Sequence, residues 1–509
     1  MGVGLRLAYL IHLLPVCRAD EAVFGLMTKH LLEGKELPIY LYGAHYAGAL
    51  ICYLAAIPFL LFGISMPVLK LTTYLFTLPT ILLIYFLGRA MGDRRVAALS
   101  ALFFAVPPFL ITWVGQYAGG GYPETLFFGT CTLFLVHRLL SKENSPRQEV
   151  RVMALLGFLN GIGTWILFSM IPYTLTVWTL IPFKKTKTPL KKLFAVFLSF
   201  YAVGILPMVI YNVQHPLATF MRLGADVMTL ERSEISGKGG SELLSLGLSK
   251  SGLKLLKLPK AVFQVMRNIW VMMRMEPSLG GMATIWDILL AMAIGFSFLM
   301  TVVSARKNFT KNPLSLPLTL VGWMVLFLAV TGLTKTRYVS FMYPALAVLF
   351  AFSILQWASK RWIAISLGAV FLSANIVNHL IALKTPESED RFGELVAFLS
   401  QKGLKYGYTD YVTAYPIVFL TREGIIASPV AGPLNVERVP SYTREVDQAK
   451  EVFFVFDRSS NASERFEGSL KSRRVSSKRE DVLSHSVYYA FSKRIYPREL
   501  PLIRLFASE

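Results

Sequence analysis

Charge is what this sequence has least of for its length. Only 16% of its 509 residues are Asp, Glu, Lys or Arg, where soluble globular chains carry roughly a quarter. That deficit excludes an ordinary water-soluble protein. A bilayer demands it, because one charge at the membrane centre costs about 2.5–3.5 kcal/mol. Cysteine is scarcer still. Cys17, Cys52 and Cys131 all sit in apolar stretches, which excludes a disulfide framework and a thiolate metal site and leaves inert core thiols. A small-residue cleavage site is missing too. The apolar run Val3–Val16 is followed by Arg18-Ala19-Asp20-Glu21, so it reads as a short first membrane helix and not as a signal peptide. Internal repeats are also lacking, and transporters commonly have them.

What is present is hydrophobic. Apolar residues make up 54% of the chain, and the mean hydropathy is +0.51. Twelve apolar segments run from 3–17 through 47–63, 66–87, 96–115, 125–140, 152–168, 170–183, 193–211, 282–303, 314–332 and 338–356 to 362–382. The fold class is an α-helical polytopic membrane protein with a small α/β soluble domain at its C-terminus. The net charge of +21 is unevenly placed: residues 384–509 hold 19 basic and 17 acidic side chains, leaving 33 and 14 for the first 383. Positive charge in short loops sets topology and attracts anionic lipid, so nucleic acid is not the partner.

Five basic loops carry that charge: Arg89–Arg95, Lys142–Arg151, Lys184–Lys192, Arg306–Lys311 and Lys360-Arg361. Placing all five in the cytoplasm puts the loops near Asp20, 116–124, 212–280 and 334–337 on the outer face, together with the C-terminal domain. Parity then allows about eleven spans. Segment 47–63, with Pro58 and the break at Gly63, is the one expected to lie along the interface or re-enter. The domains are expected to be 1–383 in the membrane and 384–509 outside it. Within the latter, Phe392–Gln401 reads as a helix stopped at Lys402-Gly403. Gly424–Ser428, Glu451–Asp457 and Ser486–Ser492 read as strands. Lys250–Met275 reads as a basic surface helix, and Gly237–Gly240 as a flexible centre of its loop.

With 14 acids in 383 residues, each acid is informative. Asp20-Glu21 precedes the helical stretch Ala22–Leu32, and Glu124 ends Gln116-Tyr-Ala-Gly-Gly-Gly-Tyr122-Pro-Glu124. Carboxylates there gain from helix N-termini, about 0.3–1 kcal/mol, and acids at a membrane edge also suggest function. Lys335, Arg337 and Tyr338 with Tyr343-Pro344 form a second constellation. A guanidinium beside an ammonium suits phosphate, and headgroup snorkelling is the bland alternative. His45, in Tyr42-Gly-Ala-His45-Tyr46, lies in the first outer loop and would serve a hydroxyl or a metal.

In order, the strings Asp20-Glu-Ala…Leu31-Leu-Glu-Gly34…Pro38…Tyr42-Gly43…Tyr46…Gly48, Gly120-Gly-Tyr-Pro-Glu124, Tyr211-Asn212…His215-Pro216 and Arg337-Tyr338…Tyr343-Pro344 resemble a known superfamily. It is that of the dolichyl-phosphate-mannose–protein mannosyltransferases and the bacterial lipid A aminoarabinose transferases, which are GT-C-fold glycosyltransferases. The resemblance covers most of 15–383 and implies juxtamembrane helices in the first outer loop. It implies a catalytic acid at Asp20, as general base or as the group that orients the acceptor, and a second acid at Glu124. Arg337, helped by Lys335, would meet the phosphate of a polyprenyl-phosphate sugar, and Glu21, His45, Tyr46, Tyr122 and Tyr338 would line the substrate. A divalent metal is left open, with Asp20, Glu124 and His45 as candidate ligands. The His-Pro-Pro or Lys-Pro-Pro element of several relatives is replaced by Gly43-Ala-His45-Tyr46. The expected partners are a lipid-linked donor, the bilayer and a lipid, glycan or protein acceptor. The expected place is the cytoplasmic membrane of a prokaryote, with the site on the outer face. A transporter or flippase of lipid-linked sugars is the alternative from another class; a non-catalytic scaffold is a third.

Overall fold

The computed structural model describes residues 2–14, 16–141, 143–216, 218–219, 258–272, 312, 314–333, 335–357, 361–384, 392–430, 437–458 and 461–500. The helices are α1 (Gly2–Leu13), α2 (Ala19–Leu32), α3 (Leu50–Phe62), α4 (Met66–Thr72), α5 (Tyr74–Met91), α6 (Arg94–Ala105), α7 (Phe109–Gln116), α8 (Tyr122–Ser141), α9 (Pro146–Ile166), α10 (Ile171–Leu180), α11 (Leu190–Gly204) and α12 (Leu206–Gln214). Then follow α13 (258–272), α14 (Ser315–Thr331), α15 (Thr336–Val339), α16 (Tyr343–Trp357) and α17 (Arg361–Lys384).

Proline and glycine shape this bundle. Pro107-Pro108 separate α6 from α7, and the pair bends by 73°. The carbonyls released at such a break need donors when water is absent. Arg6, 1% exposed, supplies them by donating to Phe104 O at 2.5 Å and Ala105 O at 3.3 Å, while Asn375 Nδ2 donates to Val106 O at 3.2 Å. At Gly157 and Gly161 the backbones of α9 and α11 nearly touch. A Cβ on either would stand 2.2 Å from Phe197 O or 2.4 Å from Tyr201 O, the close approach that small residues four apart permit.

Among the described residues, two helical stretches are long and apolar enough to cross a membrane, Met66–Met91 and Thr336–Leu355. Up to four qualify when the bent pairs α6–α7 and α11–α12 each count as one span. The eleven crossings read from hydropathy exceed that number: prolines break segments 96–115 and 193–211 into bent pairs, and the count of eleven is not reproduced among the described residues. Segment 282–303 and Gly237–Gly240 lie outside the described residues. Helix α3 occupies most of segment 47–63 with 13 residues, about 20 Å at 1.5 Å per residue, short of a ~30 Å hydrocarbon core. It packs on α2 and α4, with Ile51, Cys52 and Ala55 buried and Cys52 Sγ 3.5 Å from Phe24 O of α2, and leaves Ile57, Leu60, Leu61 and Phe62 exposed, a surface suited to lipid.

Beyond α17 come α18 (Gly393–Gln401), β1 (Tyr406–Thr409), α19 (Tyr411–Leu420), β2 (Ile426–Pro429), α20 (Pro440–Gln448), β3 (Phe453–Asp457), α21 (Ala462–Ser472), β4 (Lys478–Val482) and β5 (His485–Tyr489). The sheet order is β2-β1-β3-β5-β4. β1 pairs in parallel with β2 and β3, and β5 runs antiparallel to β3 and β4. Burial follows the apolar runs. β2 and β5 are buried throughout and β3 nearly so, whereas β4, the charged Lys-Arg-Glu-Asp-Val edge, is largely exposed, which protects a sheet edge. Helix α18 ends at Lys402-Gly403 with Gly403 at φ +68°, a left-handed terminator.

Candidate active site

Asp20 and Glu21 occupy the first turn of α2, whose N-cap residue Arg18 gives no side-chain cap. The two neighbours point to different environments. Glu21 is fully buried. Its Oε1 accepts from the Ala118 backbone N–H at 3.0 Å, and its Oε2 lies 3.3 Å from the buried ammonium of Lys70. It therefore braces α2 against α4 and the segment before α8. The structure places Glu21, expected to touch substrate, in that bracing position.

Asp20 is open by comparison, with its side chain 39% exposed. Its Oδ2 accepts from Tyr117 Oη at 3.4 Å. Oδ1 accepts from Tyr411 Oη and lies 3.5 Å from Arg438 Nη2. Tyr411 opens α19 and Arg438 precedes α20, so the C-terminal unit completes the surroundings of this acid. Arg438 also donates from Nε to Tyr411 Oη at 3.1 Å and from Nη1 to Tyr42 O at 3.2 Å. Burial, and then the Asp20 charge, push the Tyr411 phenol well above its usual range, so it remains a donor at neutral pH.

Gly43 makes this approach possible. The segment 39–49 folds back on itself, with Leu41 N donating to Ala47 O at 3.0 Å, Ala49 N donating to Ile39 O at 3.0 Å and a bridge between Tyr40 and Gly48. Gly43 sits at its turn with φ +61°, and a Cβ there would stand 2.7 Å from Glu437 O. The docking is reinforced at Gly25 of α2, where a Cβ would be 2.3 Å from the Phe419 ring. It is reinforced again at Glu423, which binds Lys29, His30 Nε2 at 3.0 Å and Tyr442 Oη at 2.7 Å.

On the other side of Asp20 an aromatic wall leads to Arg337. Tyr117 stacks on Trp113 with centroids 5.1 Å apart, Tyr117 and Tyr122 are 5.8 Å apart, and Tyr122 stacks on Phe341 at 5.8 Å. Arg18 lies over the Trp113 ring at 5.2 Å. Arg337 lies over Tyr338 at 5.2 Å, with Nη2 3.5 Å from the phenol oxygen, and its buried Nε has no hydrogen-bond partner among the described residues. Lys335 is exposed at the N-cap of α15. Tyr46 lies near enough for its phenol to act electrostatically on both Tyr122 and Arg438.

The remaining predicted residues are Glu124 and His45. Glu124 starts α8 after the left-handed pair Gly120-Gly121 (φ +74° and +73°). It is 2% exposed, and its Oε2 lacks a hydrogen-bond partner among the described residues. His45 Nδ1 meets Tyr211 Oη at 2.8 Å. Asp20, Glu124 and His45 do not gather at metal-ligand spacing. Among the described residues the one group that does is His30, Glu33 and Glu423. There the Lys29 ammonium already stands between the two carboxylates, 2.5 Å from Glu33 Oε1 and bonded to Glu423, so the donor set is neutralised from within and fits no metal.

No family model matches the sequence, and no curated protein matches it. Solved structures do. ArnT from Cupriavidus metallidurans bound to undecaprenyl phosphate superposes with a TM-score of 0.65 at 13% identity, over 96% of this chain and 97% of that one. The chain has the GT-C fold. ArnT in the apo state gives a TM-score of 0.62 at 12% identity, over 95% and 96% of the two chains. The Archaeoglobus fulgidus oligosaccharyltransferase AglB, in complex with an inhibitory peptide and a dolichol-phosphate, gives 0.51 at 14% identity, over 98% of this chain and 75% of that one. The likeness in fold thus covers 95–98% of the chain, the helical bundle and the small sheet alike.

Sequence reasoning missed Tyr117, Tyr411, Arg438 and the Glu423 cluster. Asp410 followed by Tyr-Val-Thr413 is an N-cap signature, since Asp410 accepts from Thr413 N at 2.8 Å. It marks the start of α19 but carries no trace of what lies opposite. Arg438 has no local signal at all.

Proposed function

We propose that this protein is a membrane glycosyltransferase that moves a sugar from a polyprenyl-phosphate donor to a nucleophile on an outer-face lipid, glycan or protein. The observation that carries the reading is the partly exposed carboxylate of Asp20 between the phenol-lined approach to Arg337 and the C-terminal unit. The end-to-end likeness to ArnT bound to undecaprenyl phosphate supports a lipid-phosphate donor on that approach.

In this mechanism the donor phosphate lies against the open edge of Arg337, beside the phenols of Tyr122 and Tyr338. The acceptor O–H or N–H meets Asp20. Asp20 takes its proton as the acceptor atom bonds to the anomeric carbon from the face opposite the phosphate. The C1–O bond to phosphate breaks with its electron pair, and polyprenyl phosphate leaves against the guanidinium. A base at the acceptor and fixed positive charge at the leaving oxygens are the two groups such a displacement needs. Attack opposite the leaving group inverts the anomeric centre. The sidedness rests on the charged loops: Asp20 and the C-terminal unit would be extracytoplasmic, in a prokaryotic cytoplasmic membrane.

The test is reconstitution in vesicles with polyprenyl-phosphate-linked sugar. Wild type should consume donor in the presence of acceptor, and Asp20→Asn should do so about 100-fold more slowly or worse. Equal consumption would sink the assignment. Donor that crosses the bilayer unconsumed would indicate a flippase. For sidedness, Ser476→Cys and Thr186→Cys should label from opposite faces of intact cells.

A further inference from the structure

The basic loops Lys142–Arg151 and Lys184–Lys192, read above as topology signals, build a site. Helices α9 and α11 run parallel, because Gly157 meets Phe197 and Gly161 meets Tyr201, so both N-termini lie at one end. Between those ends is a groove of about 480 Å³ lined by Arg147, Arg151, Lys187 and Lys192, with Pro146 and Pro189 at the two helix starts. No carboxylate lines it, and none of the four cations forms an ion pair among the described residues. Glu149, the acid nearest in sequence, is turned away and buried. It accepts from the backbone N–H of Lys187 at 3.1 Å and of Thr188 at 2.8 Å and so holds the second loop in place.

Four like charges and the positive ends of two helices repel one another unless an anion joins them. An adjoining cavity of about 720 Å³ differs, since Glu143 and Glu149 line it beside Lys184 and Lys185; the anion belongs in the groove. Helix α9 also fixes the depth. Its far end, Ile166, accepts from Gly48 N at 2.9 Å and lies against Gly121, close to the Asp20 site. Its 21 residues span about 30 Å, the thickness of the hydrocarbon core. Because α9 runs beside α11, the first half of a bent pair apolar enough to span, the sidedness proposed above puts the groove at headgroup level on the face opposite Asp20.

We infer that this groove is a phosphoanion site that takes the headgroup of an anionic phospholipid. Basic pockets between membrane helices at that level have this chemistry, and the guanidiniums of Arg147 and Arg151, one turn apart, suit a phosphate. The site is independent of the proposed transfer reaction.

The test uses the full chain in detergent with equimolar phosphatidylglycerol and phosphatidylcholine, reading retained lipid by native mass spectrometry, with a parallel arm that measures inorganic phosphate binding. Wild type should retain phosphatidylglycerol preferentially. The variant R147Q/R151Q/K192Q should lose that preference at least tenfold, whereas R94Q/R95Q/K185Q, with the same net charge, should keep it. The charge-preserving R147K/R151K/K192R should also retain it and so separate misfolding from loss of the site. Groove-dependent phosphate binding without lipid preference would identify free phosphate as the source of the anion. Neither binding, or equal losses in the two charge-removed variants, would overturn the site.

Discussion

Arg438 Nη2 stands 3.5 Å from Asp20 Oδ1, although 418 positions separate the two residues in the sequence. The acid proposed to act on the acceptor is thus held partly by the bundle, through Tyr117, and partly by the C-terminal unit, through Tyr411 and Arg438. A domain that packs against the bundle only for stability has no need to place a guanidinium and a phenol on that acid.

Removing Arg438 should therefore impair catalysis through positioning. Arg438→Gln is expected to lower kcat by about tenfold, since its fixed charge and its bonds to Tyr411 and Tyr42 orient Asp20, while the donor KM stays near the wild-type value. Gly43→Ala should act in the same direction. Its Cβ would meet the Glu437 carbonyl at 2.7 Å in a left-handed backbone and displace the Arg438 segment. Steady-state kinetics with saturating acceptor separate the two parameters; a rise in donor KM with unchanged kcat would contradict the assignment.

The Glu423 cluster predicts how docking depends on pH. Burial pushes the Glu423 carboxyl up, but hydrogen bonds from His30, Lys29 and Tyr442 outweigh it and hold the group well below the usual carboxylate range. A group depressed in the folded state contributes fully above its unfolded value, ~4.3 for Glu, and its contribution fades as pH falls from there toward the folded value. Docking of the C-terminal unit should therefore be steady from neutral pH to about 5 and loosen below about 4. Hydrogen exchange of residues 411–420 against pH measures this. Glu423→Gln should loosen docking at neutral pH and flatten its pH dependence below that, with a loss of about 1–3 kcal/mol.

The fold class was legible because it rests on patterns that one sequence displays: apolar length, loop charge, and the opening at Asp20 together with Arg337-Tyr338. The same holds for α18 with its glycine stop and for three of the five strands. β4 was not legible, because Lys-Arg-Glu-Asp-Val has no apolar alternation and its partners on β5, reached by backbone pairing and by bonds such as Ser486 Oγ to Asp481 Oδ1, appear only in the folded chain. α19 was not legible either, because it is apolar on every side and almost wholly buried, so it lacks a helical stripe. The site was half legible for a related reason. Acids in an apolar chain announce themselves, but Tyr411 and Arg438 are ordinary residues of a polar domain, and only tertiary packing brings them to Asp20. Glu21 shows the converse: scarcity marked it as functional, while burial against Lys70 gives it a packing role.

That packing role is itself testable. Glu21 and Lys70 are 0% and 1% exposed and lie 3.3 Å apart, so each compensates a charge that the interior would otherwise not tolerate. Removing one leaves the other without its opposite charge, a change that costs about 3–5 kcal/mol at a buried pair, whereas replacing both with apolar residues of similar volume is often neutral. Glu21→Leu and Lys70→Met should each lower the thermal midpoint of the detergent-solubilised chain markedly, and the double variant should recover most of the loss. The Ala118 N–H, which donates to Glu21 Oε1 at 3.0 Å, would remain unpaired in the double variant and limit the recovery by about 1–3 kcal/mol. A double variant no more stable than the worse single one would mean that Glu21 matters chiefly as the acceptor for Ala118. In that case Glu21→Gln, which keeps an acceptor there but not the charge, should behave like wild type.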